Sequence, residues 1–411
     1  MRLDKVSAAL DRRLDPASRA PLAVGFSGGG DSLALLLLTL DWARAHGRAV
    51  LSLTVDHQLQ PGSAGWTRAA VAKAQGLGAS AQALVWTGEK PVVGVAAAAR
   101  RARHALLAQA ARAAGARVLL LGHTADDRAE AALMRAEGST VSDPRDWVPS
   151  PVWPEGRGVF LLRPLLEQRR PYLRDALHEL GETWLDDPAN DDLGSARIRA
   201  RRALERVGVP ITSVPVVKDA RAEAHGDVFG VITLPRDAAA ADLAAACLCA
   251  AGTEHPPRGQ RLQRLVGRLR AAETFTTTLA GARIEAGPDG VRFCRDAGET
   301  ARGGLAQLVL APGQTGIWDG RYEITAGHKL LTVRALKGLA KSLSKRERAA
   351  LKAAPAAARP ALPALVSETG EVTCPILDGP ALAAAGSVQM RALILDRFKA
   401  AIGHFDQECV T

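Results

Sequence analysis

Along the first third of the chain, short apolar runs alternate with longer stretches of helical periodicity. The runs at 22–26, 49–55, 81–86 and 117–122 are continuous rather than alternating, and longer segments at 31–46, 63–76, 93–115 and 126–136 separate them. Continuous runs of this length predict strands buried on both faces, and the regular alternation predicts right-handed βαβ units in an open parallel sheet. Ligands of such sheets collect at the strand carboxyl ends. Beyond residue 206 the pattern changes. Residues 207–235, with Pro210, Pro215 and Pro235, read as a connector. A helical pattern follows to 272, then β-type residues to 300, and after Gly303-Gly304 a further unit with a hairpin at Asp319-Gly320. Three segments are expected: 1–206, 207–302 as a linker and mostly helical centre, and 303–411 as a small mixed α/β domain.

The polar residues fall where the predicted sheet would use them. Ser27-Gly28-Gly29-Gly30-Asp31-Ser32 follows the first strand, Asp56-His57 the second, and His123 to Asp127 the fourth. A strand, glycine turn and helix start in that order make an anion cradle from backbone N–H groups and the positive helix end. No GxxxxGK[ST] is present, and the turn has Asp31 where a lysine would be expected. A carboxylate beside a triphosphate is reasonable when Mg²⁺ lies between them. The residues alone therefore predict a nucleotide site with Mg²⁺ beside the phosphates. A Ser/Asp helix cap is the plainer alternative, and it needs neither three glycines nor two flanking serines.

Other candidates each carry a bland alternative. Asp126 and Asp127 open a helix, where carboxylates also complement the dipole, and Glu130 lies one turn on from both. Asp56 either caps a turn or meets a ligand, and His123 and His57 are equally open. Arg100 and Arg103 share one helix face at i,i+3, as do Arg199, Arg202 and Arg206 further on. Only Glu205 accompanies the latter three nearby, so that face reads as an electrostatic footprint.

The formal net charge of +10 suits a polyanionic partner, and 43 arginines to 10 lysines favour planar recognition of phosphate and bases. No apolar run is long enough to span a bilayer and the N-terminus has no signal-peptide core, so a cytoplasmic protein without membrane contact is expected. All five cysteines lie at or beyond Cys247, and the Cys247-Leu248-Cys249 run reads as buried small hydrophobes rather than a metal site.

The loop Ser27–Ser32 matches the SGGxDS loop of the PP-loop ATP pyrophosphatases. Val55-Asp56-His57-Gln58-Leu59 resembles the VDHxL segment of one branch of that superfamily, the tRNA(Ile)-lysidine synthases. Ala99–His104 resembles its ARxxRY stretch with His for Tyr, and Gly122–Glu130 with Ala131 resembles its GHxxDDQxET segment, with Arg128 for Gln and Ala131 for Thr. Arg163-Pro164-Leu165-Leu166 matches RPLL, and Trp184–Asp192 with Arg197-Ile198-Arg199 resembles its DPSN…RxxIR block. These motifs span about residues 20–206 in the family's order.

The resemblance implies a Rossmann-like α/β catalytic domain over 1–206 and a C-terminal domain at 303–411 that holds the tRNA body. It implies ATP-dependent ligation of lysine to C2 of cytidine-34 in the CAU anticodon of tRNA(Ile), through an adenylated cytidine. Gly28, Gly29 and Gly30 would contact the phosphates through the backbone, with hydroxyls from Ser27 and Ser32. Asp31 and Asp127 would hold Mg²⁺, or Asp126 and Asp127 accept a proton from the lysine ammonium. Asp31, Asp127 and Arg199 are the expected catalytic residues. Asp56, His57, Arg100, Arg103, His123, Asp126, Glu130, Arg202 and Arg206 are the expected substrate or RNA contacts. No protein partner is called for. Two competing readings remain. Another PP-loop adenylating enzyme that forms an amide would need an ammonia supply, and the positive charge and DPxN…RxR block argue against it. An RNA-binding protein that had kept only the fold would not need SGGxDS and an Asp pair.

Overall fold

In the computed structural model, residues 4–139, 141–185, 196–207, 225–378 and 388–408 are described. By compactness the chain divides into two units, Met1–Lys218 with Phe405–Thr411, and Asp219–His404.

The first unit opens with helix α1 (Asp4–Arg13). Four βα steps follow: β1 (Leu22–Gly25), α2 (Gly30–Ala45), β2 (Val50–Asp56), α3 (Ser63–Gly76), β3 (Ser80–Val85), α4 (Val95–Ala113), β4 (Val118–Leu121) and α5 (Ala125–Ala136). Two short strands come next, β5 (Trp147–Pro149) and β6 (Phe160–Leu162), and then α6 (Arg170–Glu179) and α7 (Ala196–Val207). The sheet order is β3-β2-β1-β4-β6-β5, parallel except for β5 at one edge. The strand order reverses around β1 and β4, and the polar clusters collect there because ligands of open sheets sit at that switch point.

Two expectations need correction. The run at 81–86 is not buried on both faces: β3 is the other edge strand and four of its six residues are exposed, with Val85 among them. The sheet also extends beyond α5, since β6 pairs with β4 and β5 with β6. Both added strands are only three residues long, too short for a periodicity to be read. The central strands are as expected, with every residue of β1 and β4 buried. Residues 405–408 pack back on this unit: Glu408 takes two bonds from buried Arg48 (2.7 and 2.9 Å), and Trp147 Nε1 donates to the Phe405 carbonyl at 2.8 Å.

The second unit begins, among the described residues, with β7 (His225–Gly226) and β8 (Ile232–Leu234), so the end of the expected connector is β-structure; residues 208–224 lie outside the described ones. Helices α8 (Ala240–Ala251) and α9 (Gly259–Arg270) precede the antiparallel strands β9 (Phe275–Leu279), β10 (Ala282–Gly287) and β11 (Gly290–Arg295). The sheet order is β7-β8-β11-β10-β9. The Asp319-Gly320 hairpin is present, with Trp318 opposite Tyr322 and positive φ at both turn residues. One apolar core runs from Ile232 to Phe398, so the division expected at 302/303 does not separate it. Cys247 and Cys249 lie in that core, where burial raises both thiols to about 12 and leaves them inert. No described helix is long and apolar enough to cross a membrane.

Candidate active site

The glycine loop joins buried β1 to α2. Gly28 has φ +88°, and a side chain there would meet Leu185 Cδ1 at 2.8 Å, so only glycine fits. The Leu185 N–H donates to the Gly28 carbonyl at 2.9 Å, laying the chain after α6 against the loop. Ser32 Oγ donates to the Gly29 carbonyl (2.9 Å) and lies 3.1 Å from Ser27 Oγ, which fixes the turn internally. Gly29 is the N-cap of α2 and, with Gly30 following, no side chain caps the helix. Gly122 brings the end of β4 against this start, since a Cβ there would lie 3.0 Å from the Asp31 carbonyl oxygen.

Asp31 faces a guanidinium. Its Oδ2 accepts from Arg170 Nε at 2.9 Å, while its buried Oδ1 has no partner. Burial raises the carboxyl pKa and the Arg170 charge only partly offsets it. Arg170 also lies 3.4 Å from Glu130 Oε1 and 3.6 Å from Asp127 Oδ2. Three carboxylates from α2 and α5 thus converge on one arginine at the start of α6.

The Asp pair has split duties. Asp126 Oδ2 accepts the Arg170 backbone N–H at 2.7 Å and its Oδ1 pairs with Arg169 at 3.1 Å, so it caps α6. Asp127 Oδ2 closes a capping box with Thr124, taking its N–H and its hydroxyl at 2.8 Å each. Its Oδ1 faces Arg197 at 3.7 Å. Burial opposes the charged form of Asp127, but its surroundings, His123 foremost and then Arg197, the Thr124 N–H and Arg170, hold the pKa below the ordinary value. Glu130 is almost fully buried and receives Arg201 Nε on Oε1 at 2.8 Å, with Arg197 Nε 3.3 Å from Oε2.

Helix α7 therefore points differently from expectation. Its buried Ile198 and Ala200 hold it on the unit, and Arg197 and Arg201, at i,i+4, turn toward Glu130 while Arg199 lies exposed. Arg202 is half-buried, and the Arg206 side chain lies outside the described residues, as does the Asp-Pro-Ala-Asn segment. Counting arginines favoured the 199/202/206 face. Arg201, at i+3 from Ile198, lies on the apolar side that decides the helix's orientation.

Arg100 and Arg103 on α4 are in no ion pair among the described residues. Burial, then the charges of Arg100 and Arg197, lower the pKa of Arg103. Arg163, buried in the RPLL stretch, donates Nε to His123 Nδ1 at 3.2 Å, and burial lowers its own pKa to about 10. That bond needs an unprotonated Nδ1, and burial beside Arg163 keeps His123 neutral. His104 lies beneath Arg103 and Arg100, and burial pushes it to about 3. Asp56 accepts the Gln58 N–H at 2.8 Å, a turn with Gln58 at φ +53°, and His57 Nδ1 beside it is buried without a partner. Sequence reasoning gave no role to Arg163, Arg170 or Arg201. Arg163 stood in the RPLL match without a role, and the signal for Arg170 and Arg201 was the acid excess of Asp31, Asp127 and Glu130, which calls for buried cations nearby.

A family profile described as a PP-loop domain matches residues 3–207. The chain is 61% identical over its full length, and the relative's full length, to a tRNA(Ile)-lysidine synthase of Caulobacter vibrioides. It is 38% identical to the Hyphomonas neptunium protein of that name, over 74% of this chain and 88% of the relative. For the Rhizobium meliloti protein the identity is 31%, over 76% and 75%. The chain belongs to the tRNA(Ile)-lysidine synthase family.

Proposed function

We propose that the protein is a cytoplasmic ligase that joins lysine to C2 of cytidine-34 in the CAU anticodon of tRNA(Ile), at the expense of ATP. Full-length identity of 61% to a tRNA(Ile)-lysidine synthase carries the reading. The geometry supplies a mechanism. The uncapped start of α2 and the backbone of Gly28, Gly29 and Gly30 take the β- and γ-phosphates, with Ser27 and Ser32 shaping the turn. The cytosine C2 oxygen attacks the α-phosphorus, the bond to the bridging oxygen breaks, and pyrophosphate leaves. Arg100, Arg103 and Arg197 stand ready for the charge that develops, because their mutual repulsion is relieved by an anion. Lysine then displaces AMP from C2 through its neutral ε-amine, having lost a proton.

Mg²⁺ suits the carboxylates present. It takes one or two carboxylates and completes its shell with phosphate oxygens and water, and Asp31 Oδ1 is a buried oxygen still lacking a partner. Asp31 would hold the ion with Asp127 Oδ1, the oxygen of that residue not taken by Thr124. When bound it neutralises the leaving pyrophosphate. Asp126 and Glu130 act by placing arginines. Arg197 and Arg201 take the part expected of Arg199.

In the second unit, a groove of about 790 Å³ between α9 and β9 is lined by Arg261, Arg264, Arg268 and Arg302 with Thr277 and Thr278. Arg261 and Arg264 enter no ion pair among the described residues, so this groove is our candidate for the tRNA body. The test mixes the protein with ATP, labelled lysine and a tRNA(Ile) transcript bearing CAU. Label should enter the RNA and not a transcript with U34. Equal labelling of both, or none with either, overturns the reading.

A further inference from the structure

Arg170 divides the two oxygens of Asp31. It holds Oδ2 at 2.9 Å and leaves the buried Oδ1 without a partner. Its own placement is fixed from behind, because Asp126 takes its backbone N–H at 2.7 Å and pairs with neighbouring Arg169. The guanidinium reaches Glu130 and Asp127 as well, at 3.4 and 3.6 Å. Only 13% of the side chain is exposed, so water screens its charge poorly.

We propose that Arg170 is a positioning residue that makes cation binding at Asp31 conditional on bound nucleotide. The inference rests on the reading of Asp31 as the Mg²⁺ carboxylate. Without nucleotide, Arg170, Arg197 and Arg201 together already answer the three carboxylates, and a divalent ion entering beside Arg170 meets repulsion. The phosphates of ATP add negative charge on the other side and tip the balance, so the ion enters with its substrate. Meanwhile the bond to Oδ2 stops the Asp31 carboxylate from turning and keeps Oδ1 available. A free ion lodged in the empty site would otherwise fix the carboxylates before the triphosphate arrived.

The test reads metal binding directly, with Mn²⁺ as probe and its EPR signal as the measure of free ion. Arg170→Gln should bind Mn²⁺ without nucleotide roughly tenfold tighter than the parent, since one unit charge close to a divalent ion is removed. Arg170→Lys, which keeps the charge, should bind as the parent does. The double variant Asp31→Asn/Arg170→Gln should lose the gain. Arg170→Met carries the same expectation as Gln and replaces it should the Gln variant not fold. Parent-like Mn²⁺ binding in the neutral variants overturns the proposal, and so does a gain that survives Asp31→Asn. Binding of Mn²⁺ with α,β-methylene ATP separates the two levels. If Asp31→Asn abolishes it while Arg170→Gln shows no nucleotide-free gain, only the Arg170 inference falls. Parent-like binding in Asp31→Asn removes the metal reading beneath it.

Discussion

Each compact unit holds a cluster of arginine and carboxylate, and the two differ in how far their hydrogen bonds close. In the second unit Asp319 takes Arg295 on both oxygens, at 2.9 and 2.8 Å, and Arg321 at 2.7 Å. Arg295 Nη1 and Arg321 Nη2 reach the carbonyls of Gly281 and Ala361. All three side chains are at most 6% exposed. Both oxygens of Asp319 and both guanidinium groups have protein partners, so the carboxylate is fully engaged within the protein. In the first unit Asp31 keeps one oxygen without a partner, and Arg100 and Arg103 stand outside any described ion pair. The same residue types thus do opposite things. A closed network fixes a fold, and an open one is completed by what it binds.

The largest effect should come from the open oxygen. Asp31→Asn preserves size and can still accept Arg170, but removes the charge. Pyrophosphate release should fall at least about a hundredfold, with the thermal midpoint nearly unchanged. A variant within a few-fold of the parent would mean that Asp31 is only a helix-start residue. The closed network predicts the reverse. Asp319→Ala takes the hydrogen-bonded carboxylate from two buried arginines and should cost about 3–5 kcal/mol, seen as a lower urea midpoint, while ATP binding to the surviving fold stays near the parent's. If Asp319→Ala left stability unchanged, the comparison would lose its structural arm.

Much of the open cluster could be read in the sequence, and little of the closed one. Gly28 to Ser32 and Asp126-Asp127 are local patterns at strand ends, and local patterns are what a sequence displays. Arg170, Arg201 and Arg163 reach their carboxylate or imidazole partners across 139, 71 and 40 positions, and no spacing rule spans such gaps. Helix α7 shows the same limit from another side. Its arginines were visible, but which of them face inward depends on Ile198 and Ala200 finding a buried site. In the second unit the Asp319-Gly320 hairpin was legible as a turn, whereas the role of Asp319 depends on Arg295, 24 positions away.

His104 offers a smaller effect, through pH. Its folded pKa of about 3 lies below the ordinary 6.5, because burial and the charges of Arg103 and Arg100 oppose protonation. The unfolded chain binds a proton below pH 6.5 and the folded one does not. The stabilisation is therefore complete above that pH and drains away as pH falls toward 3, by about 2 kcal/mol at pH 5. His104→Tyr, which does not titrate in this range, should lose correspondingly less stability between pH 7.5 and 5. Equal losses in parent and variant would show that His104 is accessible to protons while folded.

The smallest expected change in stability, and the sharpest contrast, belongs to Arg103. A buried arginine in a closed network is held by its partners, so removing it should destabilise. Arg103 is half-buried among Arg100 and Arg197, whose charges oppose its own. Arg103→Ala should therefore leave the thermal midpoint unchanged or slightly higher, since it relieves repulsion and loses no ion pair among the described residues. Its cost should appear only when an anion arrives, as a KM for ATP or tRNA raised by roughly tenfold, about 1.4 kcal/mol. Added salt should narrow the gap between variant and parent, because a lost phosphate contact lowers the slope of log K against log salt by roughly one counterion. Arg321→Ala is the matched control from the closed network and should show the opposite pair of results, a lower midpoint with KM for ATP unchanged. If Arg103→Ala instead lowered the midpoint as far as Arg321→Ala and left KM alone, Arg103 would be structural, and the distinction between the two clusters would fail at the residue where it is most exposed.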